Sequence, residues 1–101
     1  MADDTFRDYV LEQLAIPGGV RCRAMFGGHG LYCAEQFFGI IHDGRLYFKT
    51  HADTLDEYLH YQAPMFAPTK KQILKNYREV PVEILEDAAQ LTAWASRAAR
   101  P

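Results

Sequence analysis

Between residues 20 and 49 the chain runs through short apolar-rich segments, each followed by a turn signal. Val20 to Phe26 alternates Val20, Cys22, Ala24 and Phe26 with Arg21, Arg23 and Met25. A period of two places those sets on opposite faces of a strand. Gly27-Gly28-His29-Gly30 reads as a turn into Leu31-Tyr32-Cys33, and Ala34-Glu35-Gln36 turns again into a bulky run from Phe37 to Ile41. His42-Asp43-Gly44 closes that strand, because Asp-Gly between apolar runs is a strong hairpin signal. Arg45 to Lys49 then supplies the fourth strand of an antiparallel meander.

Helical spacing brackets this meander. Phe6, Tyr9, Val10 and Leu14 recur along one helical stripe, with Thr5 and Asp8 as a capping pair, and Ile16-Pro17-Gly18-Gly19 ends it. Thr50 with Asp53 caps a second helix whose stripe is Ala52, Leu55, Tyr58 and Leu59 and which stops before Pro64. Met65-Phe66 and Gln72 to Glu79 read as two more strands joined through Pro68-Thr69-Lys70-Lys71, although Lys70 to Lys75 also suits a helix by propensity alone. Pro81 suits the first turn of a C-terminal helical segment carrying Ile84, Leu85, Leu91, Trp94, Ala95 and Ala98, with a break near Asp87. The expected fold is α+β, in the order α-β-β-β-β-α-β-β-α, with the helices on one face of the sheet. Residues 1–101 are expected to form one domain.

Composition narrows function. A chain of 101 residues, 49% hydrophobic and 24% charged, has room for one core but not for a deep interdomain cleft. Its 11 basic and 13 acidic residues, net charge -2, lack the basic surplus typical of a protein held mainly by phosphate contacts. Cys22 and Cys33 form no CxxC motif, which fits a reducing compartment. Met1-Ala2-Asp3-Asp4-Thr5 has neither the basic nor the apolar region of an export signal, and no apolar run approaches membrane-spanning length. The expectation is a soluble, cytoplasmic protein with no membrane contact.

Two segments carry a resemblance. Arg23-Ala24-Met25-Phe26-Gly27-Gly28-His29-Gly30-Leu31-Tyr32, followed by Phe38-Gly39-Ile40-Ile41-His42-Asp43-Gly44-Arg45-Leu46-Tyr47-Phe48-Lys49, closely resembles the N-terminal domain of the TfoX (Sxy) competence regulators. Tyr77, Val80-Pro81, Leu85-Glu86-Asp87, Leu91 and Trp94 resemble that domain's closing strand and helices in the same order. The likeness implies a domain that regulates natural competence through transcription, with the cyclic-AMP receptor protein or the transcription machinery as partner, and with no catalytic residue set. It also implies a stand-alone copy lacking the family's C-terminal helical domain.

Other motifs carry less. Gly27-Gly28-His29-Gly30 has no P-loop Lys-Ser/Thr and leads into Leu31-Tyr32, so it reads as a turn or bulge, with Met25 and Phe26 before it in the core. Cys22, His29, Cys33 and His42 could be strand neighbours but show no recognised zinc spacing apart from His29 with Cys33, and Cys22 reads as a small hydrophobe. No metal, no cofactor and no enzymatic activity are expected. Arg21, Arg23, Arg45, Tyr47 and Lys49 share the polar phase of their strands, an arrangement that suits single-stranded nucleic acid but also an ordinary solvated sheet face. Lys70, Lys71, Lys75 and Arg78 are offset by Glu79, Glu83, Glu86 and Asp87, and Trp94 is expected to anchor the last helix. A regulatory adaptor that binds a protein is therefore the first expectation and direct nucleic-acid binding the second. A small-ligand binder or enzyme of unknown reaction comes third, and a homodimer is compatible with each.

Overall fold

A computed structural model describes residues 2–25 and 27–101. The element order is α1 (Ala2–Gln13), β1 (Arg21–Met25), β2 (Gly28–Cys33), β3 (Gln36–His42), β4 (Arg45–Lys49), α2 (Leu55–His60), β5 (Met65–Thr69), β6 (Gln72–Glu79), α3 (Val82–Leu85) and α4 (Ala88–Ala98). All six strands form one antiparallel sheet in the order β1-β2-β3-β4-β6-β5, so the expected α+β architecture is the observed one.

Several local expectations change. Helix α1 already includes Thr5, which therefore does not cap it; Asp4 lies in the first turn, where the helix dipole favours a carboxylate, and Asp4 and Asp8 hold Arg7 at 3.5 and 3.1 Å. Thr50 is not the cap of α2 either: its hydroxyl donates to the Asn76 carbonyl, and Thr54 takes the N-cap position while its hydroxyl accepts from the His51 N–H at 2.9 Å. The Gly27–Gly30 segment is mostly strand. Gly27 alone sits in the turn, at φ +77°, whereas Gly28 and Gly30 belong to β2. Gly28 is required by a close approach, since a Cβ there would lie 2.0 Å from the Ile41 carbonyl oxygen. Met25 leaves the helix-side core for the opposite face, where it lies over Gly30; Phe26 falls outside the described residues.

The C-terminal break occurs where expected. Pro81 is the N-cap of α3, and Asp87 caps α4 by accepting the Gln90 N–H at 3.1 Å. Two hairpins turn at Ala34-Glu35 (φ 49° and 70°) and Asp43-Gly44 (φ 52° and 71°), the doubly left-handed geometry of the turn that matches strand twist.

A bulge sorts the side chains. Leu31 pairs with Gly39 but Tyr32 pairs with Phe37, so Phe38 has no partner and the alternation shifts. Phe38 and Ile41 consequently join Leu31, Leu46, Phe48 and Val80 beneath the helices, against Val10, Tyr58, Ile84, Leu91, Trp94, Ala95 and Ala98. Phe37 and Ile40 face the other way. On that helix-free side Ile40, Tyr47, Phe66 and Tyr77 form a second buried cluster with Phe37 and Leu74 against it. Phe66, on the far edge strand, lies 4.8 Å from the Tyr47 ring and 5.4 Å from that of His42. In a flat sheet β5 and β3 would stand roughly 14 Å apart, three strand spacings. The β5–β6 hairpin, irregular after Met65 and after Phe66, therefore curls over the sheet and does for this face part of what helices do for the other.

Candidate functional site

The five residues of the basic and aromatic pattern all face the helix-free side, but they do not form one continuous surface. Arg45 is held by Glu79 at 3.1 Å, and that carboxylate raises the guanidinium pKa through its charge and hydrogen bonds. Tyr47 is 8% exposed beneath Phe66, burial pushes its phenol pKa up, and its ring offers no free face for a base to stack on. Lys49 lies beside Tyr77 in register, half-buried. Arg21 and Arg23 lie on β1, about three strand spacings from β4.

Around those two arginines the face becomes concave. Arg21, Arg23, Tyr32 and Glu35 line a cleft of about 420 Å³. Arg21 stands opposite Tyr32 and Arg23 opposite Gly30, and the Arg23 guanidinium lies 5.9 Å from the centre of the Tyr32 ring. From Tyr32 a row of rings crosses the sheet, with Phe37 at 5.2 Å and Tyr77 a further 5.2 Å on. Tyr77 donates to the Phe37 carbonyl at 3.3 Å, and burial holds its phenol pKa up to about 12.

The other arginines are engaged. Arg7, Arg45, Arg97 and Arg100 hold the carboxylates of Asp4 and Asp8, Glu79, Glu57 and Asp53, and Arg78 donates to the Ala63 carbonyl at 2.9 Å. That last contact removes Arg78 from the basic stretch read in the sequence. Among the described residues Arg21 and Arg23 hold no carboxylate and no carbonyl.

The His and Cys residues do not converge. Cys22 and Cys33 flank Leu31 on the helix side, and burial raises the Cys22 thiol pKa, which disfavours thiolate chemistry. His29 is on that side too, 3.5 Å from Asp4, whereas His42 is across the sheet against Phe66.

Sequence reasoning missed a second surface, at the helix layer. Trp94 is 7% exposed and anchors α4, with its ring 4.8 Å from Tyr58 and 6.1 Å from Tyr61. Tyr61 closes α2 and stands between two hollows. One, about 490 Å³, is shared with Asp56, His60, Gln90 and Trp94; the other, about 290 Å³, with Pro64, Pro81, Val82 and Glu83. Val82 is 59% exposed and Tyr61 39%. The signal for this surface was slight: Val82 immediately follows Pro81 at the start of a helix, outside the stripe formed by Ile84 and Leu85.

Among the described residues no helix is long and apolar enough to cross a membrane. A comparison with curated proteins found none that matches the chain. The family model for the TfoX N-terminal domain matches residues 12–100, a span that runs from the end of α1 through α4 and takes in both surfaces. The chain therefore belongs to the TfoX N-terminal domain family.

Proposed function

We propose that this domain is a non-enzymatic regulatory adaptor that acts on transcription, and on competence in particular, by binding a protein through the surface around Tyr61 and Val82. The observation that carries this reading is the exposure of two large apolar side chains, Tyr61 between two adjoining hollows, one of them lined in part by Trp94, and Val82 at the other. Aromatic side chains seated beside pockets are the usual anchors of protein interfaces. Asp56 and Glu83 rim the two hollows, so the surface suits an apolar segment flanked by basic residues. The cyclic-AMP receptor protein and RNA polymerase are the partners this reading proposes.

The test titrates purified cyclic-AMP receptor protein and RNA polymerase, in turn, against the domain and against Val82→Asp, with nuclease present throughout. Binding by the wild type and its loss in Val82→Asp, whose circular dichroism is unchanged, supports the reading. Equal behaviour of the two proteins refutes it. A second reading, direct binding of single-stranded nucleic acid, is favoured by one observation, the pair Arg21 and Arg23 beside the Tyr32 ring. Affinity for an oligonucleotide that is absent even at low salt would eliminate it.

A further inference from the structure

We infer that β1 is a docking edge for an extended acidic peptide segment, which adds to the sheet beyond β1 and places alternate carboxylates on Arg21 and Arg23. The inference shares the protein-binding reading above but uses none of the residues around Tyr61, so the two stand or fall separately.

β1 is one of two sheet edges, and they differ. At the other edge, β5 is irregular in its pairing and contains Pro68, which lacks an N–H; both features blunt an edge against further pairing. β1 has neither. Its five residues pair with β2 in unbroken register from Arg21↔Tyr32 to Met25↔Gly28, and among the described residues no backbone hydrogen bond engages its outer side. A regular edge whose outer backbone donors and acceptors are not engaged is what strand addition requires.

Charge selects the occupant. Arg21 and Arg23 are two residues apart, so both project to the helix-free side. An added strand puts its own alternate residues on that side directly beside them, and acids there would form charge-assisted hydrogen bonds with guanidiniums that now hold no carboxylate. Its intervening residues fall beside Cys22 and Ala24 on the helix side, where small apolar side chains fit. A second copy of β1 is a poor occupant because antiparallel pairing would oppose arginine to arginine. Among the described residues Glu35 is the one carboxylate lining the cleft, and it opposes an acidic ligand.

The experiment measures anisotropy of a labelled eight-residue peptide alternating aspartate and valine, titrated with the full chain. Four comparisons accompany it: an isomer with all aspartates in one block, a version N-methylated at every second residue, the Asn-for-Asp version, and a labelled decathymidylate. Saturable binding of the alternating peptide is expected. The double substitution Arg21→Ser with Arg23→Ser should weaken it at least about tenfold, as loss of two charge-assisted contacts implies. Glu35→Gln should tighten it, and Val82→Asp should leave it unchanged. The block isomer and the N-methylated peptide should each bind at least about fivefold more weakly, since one loses the alternation and the other a ladder of backbone bonds. Equal binding of the isomers or of the Asn version, indifference to N-methylation, no effect of the arginine substitutions, or tighter binding of decathymidylate would each overturn the inference.

Discussion

Replacing Phe66 by alanine tests whether the curled hairpin is a structural element or an ornament. The side chain is 1% exposed, on a sheet face that no helix covers, and its ring is 4.8 Å from Tyr47 and 5.4 Å from His42. Truncating a buried phenylalanine costs about 3–5 kcal/mol, the transfer of the ring plus the cavity it leaves. An edge hairpin can relax into that cavity, which places the expected loss near the lower end, about 3 kcal/mol. Domains of this size have only about 5–15 kcal/mol in total, so the change is a large share. At about 4–8 °C per kcal/mol the midpoint should fall by roughly 12–24 °C. Ile73→Ala is the control: Ile73 lies on the same hairpin but is 47% exposed, and its replacement should change stability by no more than about 0.5 kcal/mol. Urea and thermal unfolding followed by circular dichroism read both. If Phe66→Ala costs less than about 1 kcal/mol, or matches Ile73→Ala, the hairpin does not cover Tyr47 and the second core cluster is not a core.

Three further outcomes are expected. Gly28→Ala should cost more than about 3 kcal/mol because its Cβ would meet backbone, the Ile41 carbonyl at 2.0 Å, whereas Gly30→Ala should cost far less because the nearest atoms belong to the flexible end of Met25, at 2.6 Å; paired urea midpoints decide. Replacing Ala34-Glu35 by Asn-Gly should stabilise the β2–β3 hairpin by about 1 kcal/mol, since both positions are left-handed and neither residue favours that region; a lower melting midpoint would contradict the turn geometry. Stability should decline above about pH 10. Burial raises the phenol pKa values of Tyr47 and Tyr58, and that of Tyr77 to about 12, so the unfolded chain ionises first and each contribution, complete below pH 10, is lost as pH rises toward the folded value. Tyr58→Phe should flatten that decline in urea titrations at pH 8 to 11, and an unchanged slope would argue against burial as the cause.

Much of this protein is written in local pattern. Asp43-Gly44 between apolar runs specifies its hairpin, Pro81 and Asp87 mark the two closing helices, and the alternation around Arg21 and Arg23 fixes their common face, because each depends on neighbours close in the chain. The long glycine-rich motif was enough for the family, since its demand is backbone room, met at Gly28 under Ile41 and at Gly30 under Met25. Other features depend on residues far apart. The bulge at Phe38 shifts which residues of β3 meet the helices, and the pattern Phe37-Phe38-Gly39-Ile40 reads equally well without it. Arg45 and Tyr47 belong to the same phase as Arg21 and Arg23, yet Glu79 neutralises the first and Phe66 covers the second, while among the described residues no carboxylate pairs with Arg21 or Arg23. Periodicity assigns a side chain to a face; whether that face stays open depends on the strand or helix that folds over it, and that partner lies tens of residues away.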